Sequence, residues 1–229
     1  MAAAARTYKR YALYVTPDGA PWARVAQAWL EAELSDLPAL PQPLSEITAA
    51  PRRYGLHGTI VPPFFPASPD TGLPALHAAV KHFCATHEPI CTTGLRITQL
   101  GRFLALTPEK DSPALRLFAS AALELCDPFR APLSQADLQH HLAKGLSPAQ
   151  EALLRRWGYP YVRDAFRFHI TLTSRLPKRD LPAIRALLEA RLAPLLPAQW
   201  SVDHLSLMGE DAEGRFHLIE RFALGCQPA

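Results

Sequence analysis

The sequence has few cysteines, no long apolar run and no nucleotide-binding loop, and each absence narrows its class. Its four cysteines have neither CxxC spacing nor the density of a disulfide scaffold, so we expect a reduced, cytoplasmic protein. No apolar stretch approaches the roughly 18 residues that span a bilayer, so we expect no membrane association. Neither GxxxxGK[ST] nor GxGxxG occurs, which leaves dependence on ATP or NAD without support.

Charge and length limit the partners that the chain can serve. Its 229 residues are 48% hydrophobic, with a net charge of +3, enough for one sizeable core or two small packed lobes. The mildly basic balance favours a small anionic substrate. It falls short of the dense Lys and Arg patch of a dedicated nucleic-acid binder, so RNA is possible but not favoured. We expect a monomer.

Nine histidines raise the alternative of a metal site. His77, His82 and His87 lie five residues apart, a spacing that drifts off one helical face, and no HExxH accompanies them. His140 and His141 are adjacent, so we expect them on different sides of a helix. We therefore predict no metal and no cofactor.

The chain contains an HxT motif twice, within the segments 54–60 and 166–172. In the second segment apolar residues alternate with Arg167, His169 and Thr171, and this period of two indicates a strand with one buried face. Each strand then presents an imidazole beside a hydroxyl, namely His57 with Thr59 and His169 with Thr171. Two such strands facing each other would place a general acid, a general base and two hydroxyl donors around one anion.

The surroundings of the two motifs also repeat. Leu73-Pro74-Ala75-Leu76 follows the first motif and Leu181-Pro182-Ala183-Ile184 the second, each at the start of an apolar helical pattern. Gly101-Arg102-Phe103 and Gly214-Arg215-Phe216 follow at nearly equal distances. We infer two copies of a strand, helix and hairpin unit. The predicted organisation is a single bilobal domain, 1–229, with the first repeat at about 52–107, a helical spacer at about 108–165 and the second repeat at about 166–224.

These blocks carry a resemblance to a known family. The chain resembles the two-histidine (2H) phosphoesterase superfamily, and more specifically its DUF1045 branch, which is associated with bacterial phosphonate utilisation. The resemblance covers nearly the whole chain and is strongest in Pro51-Arg52-Arg53-Tyr54-Gly55-Leu56-His57-Gly58-Thr59 and in Arg156-Trp157-Gly158-Tyr159-Pro160-Tyr161-Val162, which runs into residues 166–173. It implies an α+β, internally duplicated bilobal fold, with two antiparallel sheets lining a central cleft and helices outside.

The resemblance also implies roles for particular residues. It makes His57, Thr59, His169 and Thr171 catalytic. Members of the family often carry lysine two residues after the first threonine, where this chain has Val61. A phosphate contact is then either missing or supplied by another cation, for which the candidates are Arg53, Arg130 and Arg167.

Further substrate-binding candidates follow from residue type and position. Arg167 lies on the histidine face of its strand, where it grips phosphate bidentately or is exposed to solvent. Four tyrosines either line the cleft and stack on a base or sugar or pack in the core: Tyr11, Tyr54, Tyr159 and Tyr161.

We therefore expect a metal-independent hydrolase of a small cyclic phosphodiester. The resemblance to the family implies that this substrate is the cyclic phosphate of a phosphorylated sugar formed in phosphonate breakdown. One neutral histidine takes a proton from water, the other gives a proton to the leaving alkoxide, and the threonines hold the phosphoryl oxygens. One alternative is a nucleoside 2′,3′-cyclic phosphodiesterase; another is an RNA-end or nucleotide-binding module without turnover. A basic rim with exposed aromatics favours RNA, and a cleft floored by Arg and Tyr favours the sugar phosphate.

Overall fold

The computed structural model describes residues 7–17, 19–68 and 72–225. The described residues form nine strands: β1 (Arg10–Val15), β2 (Gly58–Phe64), β3 (Ile90–Thr93), β4 (Leu95–Leu100), β5 (Phe103–Pro108), β6 (Ile170–Thr171), β7 (Gln199–Val202), β8 (His204–Glu210) and β9 (Phe216–Ala223). The same part of the chain forms eight α-helices: α1 (Pro21–Leu30), α2 (Leu44–Ile47), α3 (Ala49–Arg52), α4 (Gly72–Ala85), α5 (Pro113–Cys126), α6 (Gln135–Leu142), α7 (Pro148–Trp157) and α8 (Leu181–Leu192).

Seven of the strands form one sheet in the order β4-β5-β6-β2-β1-β8-β9, and β3 pairs with β7 in a separate two-stranded sheet. Every pairing is antiparallel. The predicted α+β class, with antiparallel sheets and outer helices, is confirmed. The two HxT segments do not face each other, however, because β2 and β6 are hydrogen-bonded neighbours in the larger sheet.

The two faces of the large sheet have different surroundings. Tyr11, Leu13 and Val15 of β1 pack into the main apolar core together with residues of α1, α4, α5 and α8. Ala12 and Tyr14 point the other way and join a small cluster with residues of β8 and β9. This alternation along β1 follows from the pleat of a strand, which sends successive side chains to opposite faces. The helices therefore cover one face, and the other is available for a site.

Each of the two repeated units packs its helix against strands of the other unit. The order strand, helix and three strands occurs twice, as β2-α4-β3-β4-β5 and as β6-α8-β7-β8-β9. Helix α4 packs against β8 and β9, whereas α8 packs against β4 and β5. Each repeat thus places its helix under the hairpin of the other. The structural elements of the two repeats are interlocked rather than side by side.

The spacer contains helices whose ends follow from their capping residues. The Ser112 hydroxyl accepts a hydrogen bond from the Leu115 amide at the start of α5, and Ser134 does the same for Asp137 in α6. Ser147 and Gln150 form a capping box at the start of α7. That helix ends at Gly158, whose φ of 77° is a left-handed conformation that glycine adopts without a steric penalty.

Strand boundaries differ from the sequence prediction. The segments 54–60 and 166–172 were expected to be strands, but β2 begins at Gly58 and β6 contains Ile170 and Thr171 alone. Each HxT histidine therefore lies at or just before the start of a strand. The reason is that Gly58 is the first residue of β2 to pair with β1 and β6, through Val15 and Ile170, and that β6 consists of the two residues that pair with β5.

The cysteines and the helices of the described residues bear on disulfides and membrane spans. Cys84, Cys91 and Cys126 are unpaired there, and Cys226 lies outside the described residues. Burial raises the pKa of the Cys84 thiol to about 12, so this thiol stays protonated at neutral pH. In the part of the chain that the structure describes, no helix has both the length and the apolar character needed to cross a bilayer.

Candidate active site

The pairing of β2 with β6 brings the two HxT motifs together. Gly58 lies opposite Ile170 in an antiparallel register. Continuing this register by one residue places His57 opposite Thr171 and Thr59 opposite His169. Side chains directly opposite in an antiparallel pair have Cβ atoms roughly 4.5–5.5 Å apart, and diagonal neighbours are little farther. One backbone register therefore gathers two imidazoles and two hydroxyls on the same face of the sheet.

Gly58, the residue between His57 and Thr59, is required by the opposite face. A Cβ placed on Gly58 would lie 2.2 Å from Cζ of Phe168, far inside contact distance. The Phe168 ring is 7% exposed and packs against Trp200 with ring centroids 5.2 Å apart. The ring therefore occupies the space that a side chain at position 58 needs, and β2 and β6 approach closely only because this residue is glycine.

Each imidazole is oriented by a hydrogen bond to the backbone carbonyl two residues before it. His57 Nδ1 lies 2.9 Å from the Gly55 carbonyl oxygen, and His169 Nδ1 lies 2.8 Å from the Arg167 carbonyl oxygen. A carbonyl oxygen only accepts, so Nδ1–H donates in both rings. In the neutral ring Nε2 is then the basic nitrogen. Each histidine can use this nitrogen for proton transfer.

The two histidines differ in how strongly their surroundings oppose a positive charge. Burial lowers the pKa of His57 from 6.5 to about 4, against the hydrogen bond to Gly55, and the nearby charge of His169 lowers it further. Burial also lowers the pKa of His169, again against its backbone hydrogen bond. Both rings therefore titrate below 6.5, and His169 is the more easily protonated of the two.

Aromatic rings enclose His57. The Tyr14 ring lies 4.1 Å from the imidazole centroid and Tyr54 lies 5.6 Å away. Tyr14 reaches this position because it is paired with Thr59 across β1 and β2. Burial holds the pKa of the Tyr14 phenol well above its usual value, so the group remains a neutral hydroxyl. Phe216 stacks on Tyr54 at 5.2 Å and supports it from β9.

A cavity of about 540 Å³ opens above the two motifs, a size typical of small-molecule sites. The sheet supplies one wall and the spacer supplies another. Nine of the predicted site residues line the cavity: His57, Thr59, His169, Thr171, Tyr54, Arg130, Tyr159, Tyr161 and Arg167. The structure thus brings these side chains to one chamber, and their roles stay predictions.

Two predicted lining residues lie elsewhere. Tyr11 is 3% exposed and packs between Tyr8 and Phe64, because it has the opposite parity to Tyr14 along β1. Arg53 reaches over Gly214, where its Nη2 would lie 2.8 Å from a Cβ. Its carbonyl oxygen accepts a hydrogen bond from the Phe216 amide. The prediction that Tyr11 and Arg53 line the cleft is therefore corrected.

The arginine side chains around the cavity differ in their hydrogen-bond partners. Arg10 donates to Glu210 through two nitrogens, at 2.5 and 2.6 Å. Arg130 Nη2 donates to Asp127 at 2.9 Å, and Nη1 donates to the Ala131 carbonyl at 3.2 Å. Arg167 is exposed and has no side-chain partner among the described residues. Of the three arginines proposed as a source of the missing cation, Arg167 is the one available on the HxT face.

A bulge explains the position of Val61. In the pairing of β1 with β2, Tyr14 lies opposite Thr59 but Leu13 lies opposite Val61, so one extra residue is inserted at Ile60. The insertion reverses the alternation and turns Val61 to the face of Leu13, where it is 1% exposed in the main core. A charged side chain at this position would enter an apolar environment, which agrees with the valine found here.

Sequence reasoning missed several lining residues. Arg10 and Tyr14 share the cavity face of β1, and the alternation of β1 predicts that they share a face without saying which face it is. His140, His141 and Lys144 also line the cavity, on the spacer wall. His140 and His141, which were expected on different sides of a helix, both line this cavity. The i, i+4 spacing of His140 and Lys144 could have indicated this face.

No group of three or more His, Cys, Asp or Glu side chains forms a metal-ligand set within residues 7–17, 19–68 and 72–225. His140 and His141 have ring centroids 6.0 Å apart. Asp137, on the same wall, accepts a hydrogen bond from the Ser134 hydroxyl at 2.6 Å. Beside the carboxylates of Asp127 and Asp137, the described polar groups around the cavity are imidazoles, hydroxyls and cations, which suit an anionic ligand.

Comparisons with known proteins were made on the same chain. The family model of DUF1045, a protein family of unknown function, matches residues 59–217. The chain is 34% identical over 221 residues to "Ribose 1,5-bisphosphate phosphokinase PhnN" of Janthinobacterium sp. (strain Marseille), covering 90% of this chain and 48% of that protein. It is 36% identical over 184 residues to the protein of the same name from Laribacter hongkongensis (strain HLHK9), covering 76% and 42%. The chain thus spans about half the length of these curated relatives.

Solved structures were compared as well. E. coli LigT complexed with 3′-AMP is similar with a TM-score of 0.48 and 15% identity, covering 94% of this chain and 98% of that one. TT0787 of Thermus thermophilus is similar with a TM-score of 0.47 and 17% identity, covering 96% and 100%. Both scores lie below 0.5, and the chemistry of the site rests on its own geometry.

Proposed function

This chain belongs to the DUF1045 family, and from that premise we propose that it is a phosphoesterase that hydrolyses a small cyclic phosphodiester with its two HxT motifs. The observation that carries the proposal is the register of Gly58 with Ile170. Extended by one residue on each side, this register supports a common position for the two imidazoles and two hydroxyls, all four of which line the cavity. An anion bound at that point would lie within reach of proton donors and acceptors on both sides.

The proposed roles follow from the pKa values. His57, with the lower pKa, is the neutral base: its Nε2 takes a proton from water as the water oxygen attacks phosphorus. Protonated His169 gives its Nε2 proton to the ring oxygen as the bond from that oxygen to phosphorus breaks. The products are a phosphomonoester and a free hydroxyl. Thr59 and Thr171 donate hydrogen bonds to the non-bridging oxygens, and Arg167 adds positive charge.

We infer that the substrate is a phosphorylated sugar cyclic phosphate of phosphonate catabolism. Tyr14, Tyr54 and Arg167 line the cavity beside the motifs, as expected of a floor that binds a sugar phosphate. The curated relatives carry the name of a kinase for ribose 1,5-bisphosphate. Opening a 1,2-cyclic phosphate on ribose 5-phosphate at the O2 side gives ribose 1,5-bisphosphate. A hydrolase with this product would supply such a kinase.

A nucleoside 2′,3′-cyclic phosphate is the second candidate substrate. Tyr161 and Phe65 line the cavity and are each 46% exposed. Large exposed rings at a cavity are surfaces on which a base can stack. The third candidate, an RNA-end or nucleotide-binding module, would use the same rings without turnover.

The experiment is a panel of cyclic phosphates with wild type, His57→Ala and His169→Ala. The panel contains ribose 5-phosphate 1,2-cyclic phosphate and the four nucleoside 2′,3′-cyclic phosphates. We expect turnover by wild type and a loss of roughly 10²–10⁴-fold in kcat from either substitution. His82→Ala is the matched control, because His82 is exposed on α4 and does not line the cavity.

The same panel separates the alternatives. Turnover of nucleotides alone would assign the second candidate, and tight binding without turnover of any member would assign the binding module. Activity that survives both histidine substitutions would contradict the mechanism. Loss of activity on adding a chelator, with recovery on adding a divalent cation, would replace it with metal-dependent chemistry.

A further inference from the structure

The proposed reaction uses the sheet wall of the cavity, yet the spacer wall carries a set of basic groups of its own. His140, His141 and Lys144 line the cavity at and just beyond the end of α6. The proposed reaction at the HxT motifs gives these three residues no role. Because they line the same cavity as the motifs, a group of the substrate other than the reacting phosphate can bind to them.

The basic groups on this wall are not neutralised by acids. Lys144, His140 and His141 form no ion pair within the described residues. Of the two carboxylates that line the cavity near them, Asp127 is bound by Arg130 and Arg156, and Asp137 accepts the Ser134 hydroxyl. Burial, then the charges of Lys144 and His140, lower the pKa of His141 against the opposing effect of Asp137. Among the described residues, Lys144 is thus a cation on this wall without an ion-pair partner, and the two imidazoles beside it can donate hydrogen bonds to an anion.

Helix α6 does not owe its position to the core. None of its residues is buried, and its main neighbour is α7. A helix that contributes so little apolar surface gains little stability from packing. Packing in the core therefore does not determine the side chains that it presents to the cavity, and these can serve ligand binding.

Tyrosine side chains line the cavity between its two walls. The His141 ring meets Tyr159 edge-on at 5.9 Å. Tyr159 is close enough to Tyr54 for their phenols to interact electrostatically, and Tyr54 lies 5.6 Å from His57. Tyrosine rings and hydroxyls thus line the stretch between the HxT motifs and α6. Such groups pack against a sugar ring and donate to its hydroxyls.

We propose that His140, His141 and Lys144 form a second anion subsite, which binds a phosphomonoester at the far end of the substrate while its cyclic phosphate lies between the two HxT motifs. This inference rests on the proposed function and deepens it, since it assigns the residues that select a doubly phosphorylated sugar. The cyclic phosphate of such a substrate meets the sheet wall, its terminal phosphate meets the spacer wall, and the sugar lies against the tyrosines.

The test compares two substrates that differ in the remote phosphate alone, ribose 1,2-cyclic phosphate with and without a 5-phosphate. For wild type we expect kcat/KM to favour the 5-phosphorylated substrate by at least about 100-fold, since charge-assisted hydrogen bonds contribute strongly to binding. Lys144→Met should reduce this preference at least tenfold, chiefly through KM. The double variant His140→Gln, His141→Gln should reduce it in the same way.

The matched control is Lys81→Met, because Lys81 is an exposed lysine like Lys144 but lies on α4 and does not line the cavity. It should keep the full preference. A preference that persists unchanged in the Lys144 and histidine variants would overturn the subsite. Circular dichroism and the melting temperature should match wild type in all variants, because none of the substituted side chains is buried.

A binding measurement keeps this inference separate from the proposed function. If wild type cleaves neither substrate, the proposed function fails, and the subsite is tested by calorimetry with ribose 1,5-bisphosphate against ribose 1-phosphate, which lacks the remote 5-phosphate alone. Tighter binding of the bisphosphate that is lost in Lys144→Met supports the subsite, and equal or absent binding overturns it. If the Lys144-dependent preference appears instead for a 5′-phosphorylated nucleoside 2′,3′-cyclic phosphate, and not for the sugar, the assignment of the sugar is overturned.

Discussion

His57 and His169 occupy equivalent positions in the two motifs but not equivalent surroundings. His57 is enclosed by Tyr14 and Tyr54, whereas the ring recorded near His169 is Phe103, at 5.8 Å. Aromatic walls exclude water and so oppose the charged form of an imidazole. Two residues that the repeat makes alike are thereby given different pKa values, which is how one pair can supply both a base and an acid.

The pH dependence of kcat/KM should reveal this difference. Below the His57 pKa of about 4 the base is protonated and the rate falls. Above the His169 pKa, which burial lowers from 6.5, the acid is neutral and the rate falls again. We therefore expect a bell-shaped profile with its maximum below pH 6.5, measured on a nucleoside or sugar cyclic phosphate that carries no phosphomonoester. Ribose 1,2-cyclic phosphate and uridine 2′,3′-cyclic phosphate meet this condition and do not titrate in this range.

Variants separate the two limbs of this profile. The residual activity of His169→Ala should lose the limb on the alkaline side and keep the limb on the acidic side, and His57→Ala should do the reverse. A wild-type maximum above pH 7.5 would contradict the assignment of both roles, because it would require an acid whose pKa is raised rather than lowered.

Strands β2 and β6 form the element on which the site depends, and Gly58 sets their separation. The opposing ring of Phe168 cannot simply move aside, since Trp200 packs against it. Gly58→Ala should therefore force the strands apart, lower the free energy of unfolding by about 1–3 kcal/mol, and reduce kcat/KM by more than tenfold although all four HxT side chains remain. Thermal unfolding and steady-state kinetics measure the two effects.

A double-mutant cycle identifies the cause. Phe168→Leu shortens the side chain that the new methyl group meets, so adding it to Gly58→Ala should recover part of the lost activity, beyond what additivity predicts. Gly72→Ala is the control substitution, because a Cβ there would meet nothing closer than 3.9 Å. If Gly58→Ala is as well tolerated as Gly72→Ala, the close approach of the strands is not what positions the motifs.

Local patterns predicted the faces of these elements better than their ends. The alternation of Phe168 and Ile170 with His169 and Thr171 correctly separates buried from partly exposed side chains, because it depends on the pleat of a single strand. The start of β2 at Gly58 depends on pairing with Val15 of β1 and with Ile170, residues 43 and 112 positions away. Strand ends of this kind are tertiary properties that a local pattern does not contain.

The candidate site was predictable to a similar extent. His57, Thr59, His169 and Thr171 follow from the repeated motif, and the cavity contains all four. The choice of Tyr14 over Tyr11 was not predictable, because parity along β1 fixes which side chains share a face but not which face the helices cover. The participation of α6 was equally hidden, since its position over the cavity is set by the chain on either side of it and not by its own apolar pattern.

At the scale of the molecule, the repeats stabilise each other. Strand β6 of the second repeat lies between β5 and β2, which come from the first. Without β6, the strands of the first half separate into the pairs β4-β5 and β1-β2. The apolar faces of α4 and α8 would also lose the hairpins against which they pack. Cooperative folding therefore requires both halves of the chain.

This dependence can be tested by dividing the chain between Lys110 and Asp111, in the exposed connection from β5 to α5. Fragments 1–110 and 111–229 should each lack a cooperative thermal transition, because the apolar side chains of α4 and α8 remain uncovered. Mixed or co-expressed, they should associate with one-to-one stoichiometry and recover both the transition and the proposed cyclic phosphodiesterase activity, since each fragment brings one HxT motif. A His169→Ala substitution in fragment 111–229 provides the control: association should survive while activity is lost. A cooperative transition in either fragment alone would mean that each half has a core of its own, and the two motifs would then meet by docking of preformed lobes rather than through a shared sheet.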